Sequence, residues 1–224
     1  MGRNWYLSIG LEDPEAQITR LDFENLESMD AEGVSDQPDI TFSVRRSFQR
    51  FSHIKVASVF RQISARSDLL NKTESEFAWG FNISGVRKTR LLFDERDTVK
   101  WQLTYGKGIG RYINDLNTVG GMDGVFDEKG KIRPLPVVAG YLSVQHWWNN
   151  TLRSTFLVSG VWVDNYSFQP PDSYRKTERV SGNLIYSPVN RFDVGWELIW
   201  GRRTNEDDQS GKALQTQLSA RYRF

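Results

Sequence analysis

The 224-residue chain has no cysteine, only two histidines and no apolar run long enough to form a membrane-spanning helix. The absence of cysteine excludes disulfide frameworks and thiolate metal sites. A transmembrane helix would need an uninterrupted apolar stretch of about 18 or more residues. The net charge of +1 argues against a protein that binds nucleic acid through a general basic field, so no nucleic-acid partner is predicted.

Aromatic residues are plentiful although the mean hydropathy is low. They make up 13% of the chain, whereas all hydrophobic residues together make up 38%. A soluble core usually combines aromatic residues with more leucine, isoleucine and valine. A barrel with a polar interior and an aromatic-girdled exterior has the composition observed here. The length is sufficient for one domain with a core, or for one barrel.

The last eleven residues, 214–224, alternate between apolar and polar side chains. The apolar positions are Leu214, Thr216, Leu218, Ala220, Tyr222 and Phe224. This period of two is typical of a strand with two different faces. A tilted strand of about 9–11 residues crosses the hydrocarbon of a bilayer, with aromatic residues at the interface and the opposite face towards water. The stretch therefore predicts a transmembrane strand that ends at the periplasmic side.

Nine further stretches show the same alternation. They begin near residues 4, 40, 54, 77, 99, 138, 154, 175 and 193. The connections between them alternate between long and short. Outer-membrane barrels have short periplasmic turns and longer external loops, whereas a Greek-key sandwich has no reason to alternate in this way. The sequence thus predicts an all-β, antiparallel up-and-down transmembrane β-barrel meander of about ten strands.

A single barrel domain is predicted over residues 1–224, with long external loops between its strands. These loops are expected at about 13–38, 108–136, 164–174 and 203–213, with a further polar loop at about 65–76. No signal peptide is predicted, because the first residues run directly into a strand. For an outer-membrane protein, this suggests that the chain is a truncated or processed piece of a longer protein.

Lysine and arginine in the predicted strands fall mainly on the polar positions. A cation on the lipid face at mid-membrane costs about 2–4 kcal/mol. We therefore expect these side chains to line a lumen, where arginine can bind a carboxylate bidentately and favour anions. The expected lining is Arg45, Lys55, Arg61, Lys100, Arg153, Arg179, Arg203, Arg221 and Arg223. The alternative is that they pair with inward Glu12 and Glu197 and only keep the lumen hydrated.

The glycine-rich stretch GKGIGR at 106–111 is not followed by the residues or the helix of a phosphate loop. Its glycines are expected to let a strand bend as it leaves the wall. Two alternatives stay open for residues 111–136: an inward fold that narrows the pore, lined by Arg111 and Arg133, or an exposed external loop. No metal site, cofactor or catalytic residue is predicted, because the acids of this loop lack the spacing of a calcium site.

Several stretches resemble the DcaP-like porins of Gram-negative outer membranes. They are residues 4–15 (NWYLSIGLEDPE), 103–113 (LTYGKGIGRYI), 140–148 (GYLSVQHWW), 152–154, 186–188, 194–203 (VGWELIWGRR) and the final strand. The resemblance implies a trimeric, sixteen-stranded diffusion channel that favours small carboxylates, particularly dicarboxylic acids. The partners would be outer-membrane lipid and lipopolysaccharide, small carboxylate solutes and, at full length, two further copies in a homotrimer.

The chain departs from this family in length, because about ten strands are present instead of sixteen. We expect a strongly curved meander, with two alternatives open: an incomplete part of a sixteen-stranded barrel, or a closed ten-stranded barrel with a narrower lumen. A non-conducting barrel that acts as an anchor or adhesin is the main alternative. A barrel enzyme is not expected, because no histidine lies in an external loop to act as a base.

Overall fold

A computed structural model describes residues 4–22, 27–34, 37–48, 52–67, 70–89, 95–117 and 122–224. The strands in this part of the chain are β1 (Asn4–Glu12), β2 (Ile18–Asp22), β3 (Glu27–Asp30), β4 (Asp39–Ser47), β5 (His53–Ser67), β6 (Lys72–Lys88), β7 (Thr98–Lys107), β8 (Gly124–Phe126), β9 (Ile132–Pro134), β10 (Pro136–Trp147), β11 (Leu152–Val163), β12 (Tyr174–Val189), β13 (Phe192–Asn205) and β14 (Ser210–Tyr222). A 3-10 turn at Gly110–Tyr112 precedes the short helix α1 (Asn114–Asn117). No helix in the described ranges is long and apolar enough to cross a bilayer.

Ten strands form one antiparallel sheet in the order β1-β4-β5-β6-β7-β10-β11-β12-β13-β14. Strands of this sheet that follow one another in the chain are neighbours, which confirms the predicted all-β meander of ten strands. The sheet does not close, because β1 and β14 lie at its two edges and do not pair with each other. The remaining strands, in the order β3-β2-β8-β9, form a separate small sheet.

The large sheet has two chemically different faces. The apolar face carries large side chains that stay exposed within the described part of the chain: Leu7 is 72% exposed, Phe81 50% and Leu218 79%. Monomeric soluble proteins rarely expose contiguous apolar surface on this scale, whereas a barrel wall faces lipid with such residues. The opposite side, the polar face, carries the alternate residues of each strand, including Asn82, Gln102 and Thr104.

Two predicted loops are shorter than expected. Strands β5 and β6 extend through the predicted loop at 65–76, so that only residues 68–71 connect them. Likewise β13 and β14 pair through most of 203–213 and leave a connection of residues 206–209. Beyond the hydrocarbon, β6 has only polar residues from Lys72 to Glu76, and the hydroxyl of its Ser75 bonds to that of Ser64 in β5. The alternation that marks a strand therefore disappears although the backbone pairing continues.

The two longest connections, 13–38 and 108–135, join each other in the small sheet. Strand β2 comes from the first connection and pairs in parallel with β8 from the second, with Ile18 opposite Gly124. A further bridge joins Gly33 to Ala65 of β5. These connections were predicted as loops because their strands have only three to five residues each, too few to establish a period.

The apolar core lies between the external end of the polar face and these connections. One buried cluster includes Ile109, Leu116 and Val125 from the second connection, packed on Val137 and Val161 of the wall. A second cluster joins residues of β2, β5, β6, β8 and β9. Its buried members are Ile18, Ile63, Ala65, Ala78, Phe126 and Ile132. On the polar face, buried apolar side chains are therefore found where the two long connections cover the sheet.

Adjacent substitutions in β7 test the assignment of the two faces. Leu103→Arg places a cation on the apolar face and should reduce the free energy of unfolding in lipid vesicles by about 2–4 kcal/mol. The matched variant Gln102→Arg, on the polar face, should change it by less than about 1 kcal/mol. Denaturant titrations followed by tryptophan fluorescence measure both values. Equal costs for the two variants would contradict the assignment.

Candidate pore lining and inward segment

The polar face carries an open groove with a volume of about 510 Å³. Its lining combines polar residues from β1, β4, β5, β6 and β7 with one cation, Lys55, one acid, Glu12, and several apolar residues. Within this lining, the Asn82 amide donates a hydrogen bond of 2.7 Å to the Thr104 hydroxyl. Ile109 and Tyr112 form the external wall of the groove. The groove therefore combines a hydrated floor with a wall supplied by the second long connection.

This connection, residues 108–117 and 122–135, is called the inward segment below. It leaves the sheet at Gly108, whose φ of +69° suits glycine. The Ile109 side chain then lies over Gly80 and Gly106, where a Cβ would come within 2.9 and 2.8 Å of its Cδ1 atom. The missing side chains thus make the space for Ile109. The segment therefore packs on the polar face, and narrowing of a pore lined by Arg111 and Arg133 stays a prediction.

A buried arginine joins the inward segment to the wall and to the first connection. The Arg61 side chain is completely buried; its Nε atom is 3.1 Å from Asp39 Oδ2, and one terminal nitrogen is 3.1 Å from Asp123 Oδ1. The guanidinium also donates to the backbone carbonyls of Gly108 and Glu15. Together these groups form the arginine hub, which joins residues from four separate parts of the chain.

Two neighbours complete the arginine hub: Arg111 balances its charge, and Tyr112 adds a hydrogen bond. Arg111 lies 3.8 Å from Asp39 Oδ2 and donates to the Asp13 carbonyl at 2.7 Å. The Tyr112 hydroxyl donates to Asp39 at 2.7 Å, and the Arg61 guanidinium lies 5.6 Å from the centre of its ring. Burial, assisted by Asp39, raises the pKa of Tyr112, so its hydroxyl remains a donor at neutral pH.

Asp123 is the hydrogen-bond acceptor that joins the inward segment to Arg61. Its carboxylate accepts hydrogen bonds from the backbone N–H groups of Gln17 at 3.0 Å and Arg111 at 3.1 Å, besides the bond from Arg61. Burial raises the pKa of this carboxyl against the opposing effect of Arg61 and the two N–H groups. A buried charge with a missing partner is expensive, so the hub is stable only when complete.

The predicted lining residues divide according to whether they have carboxylate partners. Arg45 and Lys100 lie on the polar face of β4 and β7, and Arg179 and Arg221 lie on that of β12 and β14. These four make no ion pair within the described ranges. Arg203 donates to the Asn205 side chain at 3.0 Å and likewise has no carboxylate partner there. Their side chains are available to solvent or solute.

Arg61, Arg111, Arg133 and Arg153 instead have carboxylate partners. Arg61 and Arg111 belong to the arginine hub, so Arg61 does not face open space. Arg133, at the external end, pairs with Asp127 at 2.8 Å. Arg153 lies at the periplasmic end, where it is 3.5 Å from Asp193.

The partners are not the predicted Glu12 and Glu197 but Asp39, Asp123, Asp127 and Asp193. Register could have indicated Asp39, because Ile40 of β4 pairs with Phe60 of β5 and the next residues outward are Asp39 and Arg61. No periodicity could have indicated Asp123, which comes from a connection. Among the described residues, no group of three or more histidine, aspartate or glutamate side chains could hold a metal ion.

A family model of the DcaP outer membrane protein matches residues 13–224, nearly the whole chain. The chain belongs to the DcaP outer membrane protein family. This confirms the resemblance seen in the sequence and the location in the bacterial outer membrane. A search of the curated proteins gives no match.

A solved structure has the same fold as this DcaP-family chain. It is the outer membrane channel DcaP of Acinetobacter baumannii, with a TM-score of 0.81 and 17% sequence identity. The match covers 100% of the present chain and 60% of that channel. The present chain therefore spans about 60% of the length of the channel, and at this identity the likeness concerns the fold.

The arginine hub is tested by removing its central cation. Arg61→Met leaves Asp123 buried without its counter-charge and Asp39 with only the more distant Arg111, which should cost about 3–5 kcal/mol. Release of the inward segment should then make chymotrypsin cleavage near Tyr112 and Phe126 at least about 100-fold faster, in proportion to the open population. Arg133→Gln removes a half-exposed pair in the same segment and serves as the control, with a change of less than about fivefold. Equal cleavage rates would contradict a holding role for Arg61.

Proposed function

We propose that this DcaP-family chain forms part of an outer-membrane diffusion channel for small anions, with carboxylates and dicarboxylic acids as the favoured solutes. Family membership supports a porin role, and neither comparison is with an enzyme. A diffusion channel carries out no bond chemistry. It requires a hydrated passage, an electric field and suitable side chains at the narrow part.

Two cations opposite each other on the polar face carry this proposal. Arg45 of β4 pairs in register with Lys55 of β5, so their Cβ atoms are about 5 Å apart. Like charges in this arrangement repel, and neither has a carboxylate partner in the described ranges. Arg45 lies 5.9 Å from the ring centre of Tyr6, which does not neutralise it. An anion between the two side chains would remove the repulsion.

The other charged residues of the polar face also favour a positive charge in the passage. Towards the periplasm from the hub, the acids of the wall strands are Asp193 and Glu197, and Asp193 is already bonded to Arg153 and Arg223. The cations without a carboxylate partner are more numerous. They are Arg45, Lys55, Lys100, Arg179, Arg203 and Arg221. A low-dielectric wall focuses the field of such charges into the passage and raises the local concentration of anions.

The inward segment would set the width of the passage. It covers the external end of the polar face, and its Tyr112 and Ile109 border the groove that contains Lys55. A solute that enters from outside would therefore pass the segment before it reaches the paired cations. Arg111 and Arg133 lie on this route, although each is paired with an acid.

Planar-bilayer recording of the purified protein tests the proposed function. In a KCl gradient, the reversal potential should have the sign of chloride selectivity. Arg45→Gln/Lys55→Gln should lower the ratio of chloride to potassium permeability by roughly fivefold, because two unit charges 4 Å apart interact by about 1 kcal/mol even in water. The same variant should weaken the block of chloride current by an added dicarboxylate.

The matched control is Lys72→Gln/Lys107→Gln, which removes the same charge. Lys72 begins the external end of β6, and Lys107 is exposed on the apolar face next to Trp79. This variant should leave the selectivity within twofold of the unaltered protein. Cation selectivity would contradict the basic lining. Absence of conductance from correctly folded protein would instead favour a non-conducting anchor or adhesin.

A further inference from the structure

Three cations lie on neighbouring strands at the external end of the apolar face. Arg202 of β13 pairs in register with Lys212 of β14, and Lys176 projects from the neighbouring strand β12. The acid among them is Glu178, which bonds to Lys176 at 2.8 Å. These side chains at the external end of β12, β13 and β14 are called the outer basic patch.

The outer basic patch lies at the boundary of the hydrocarbon. On β14, the outward residues from Leu214 to Tyr222 carry no charge and extend over nine residues, about the length with which a tilted strand crosses a bilayer. Lys212 is the next outward residue towards the outside. Trp200 pairs with Leu214 directly below Arg202 and Lys212. The patch is therefore level with the headgroups of the outer leaflet, next to the turn that joins β13 to β14.

The bonding of the outer basic patch is incomplete. Arg202 lies opposite Glu178 in register, but Glu178 bonds to Lys176 instead. The Arg202 Nε atom is buried and has no hydrogen-bond partner in the described part of the chain. Lys212 is exposed and lies directly opposite the cation Arg202. It forms no ion pair in the described part of the chain. Two like charges in this position repel each other unless an anion lies between them.

We propose that the outer basic patch binds a phosphate group of a lipid in the outer leaflet. A phosphate oxygen accepts hydrogen bonds from Arg202 and Lys212, while the acyl chains of the same lipid lie along Trp200 and Leu214. Lys176 is held over the Trp162 ring, with Nζ 5.7 Å from its centre, and contributes to the field at the same level. This site is on the outside of the wall and does not depend on conduction through the polar face.

The experiment measures binding of lipid A with both phosphates to the purified protein in detergent. Arg202→Gln/Lys212→Gln should weaken binding about 30-fold, because each cation near a membrane surface contributes about 1 kcal/mol to attraction of an anionic lipid. Lipid A without its phosphates should bind the unaltered protein as weakly as the phosphorylated lipid binds this variant. Equal affinity of the variant and the unaltered protein would overturn the proposal.

Two further variants separate charge from folding. Arg202→Lys/Lys212→Arg keeps both cations and should bind phosphorylated lipid A within threefold of the unaltered protein. Lys129→Gln/Lys131→Gln removes the same charge from an exposed turn of the inward segment and should have no effect. Inorganic phosphate serves as a competitor. Displacement of the lipid by inorganic phosphate at equal concentration would assign the patch to free anions and overturn the lipid site.

Discussion

Hydrocarbon offers no hydrogen-bond partner to a backbone N–H or C=O group, and this constraint determines the architecture of the chain. The eight inner strands of the large sheet satisfy it by antiparallel pairing on both sides, whereas β1 and β14 are paired on one side only. Once the backbone is satisfied, side-chain alternation alone decides what faces lipid and what faces water. Adjacent residues of β7, Gln102 and Leu103, therefore have opposite environments. The same alternation leaves a polar face on which charged groups can be retained at little cost.

The polar face would not by itself hold long connections in place, since it has little apolar surface. The protein provides this attachment in two ways. Glycines at positions 80 and 106 make space for Ile109, and a local apolar core forms around it. Arg61 then supplies bonds to both long connections at once. Arg61, a cation on the polar face, thus belongs to the structural framework, while Arg45 and Lys55 have no carboxylate partner in the described ranges.

Strand number, order and facing could be predicted from the sequence because the bilayer imposes a strict period of two on residues such as 214–224. The prediction was less accurate outside the hydrocarbon, where that period is not required. The extension of β6 beyond the membrane has polar residues on both faces, and β2 and β8 are too short to show any pattern. Partners of the arginines depend on tertiary contacts, so Asp123 could not be inferred as the acceptor for Arg61.

The arginine hub has a consequence for the order of assembly. Its members come from positions 15, 39, 61, 108 and 123, so it cannot form until chain segments about a hundred residues apart have met. Closing such large loops is entropically unfavourable and slow unless the intervening structure is already in place. Hairpins of the wall, which need only local contacts, should consequently form first. The inward segment would be unattached in the nascent protein and become fixed to the wall only as maturation ends.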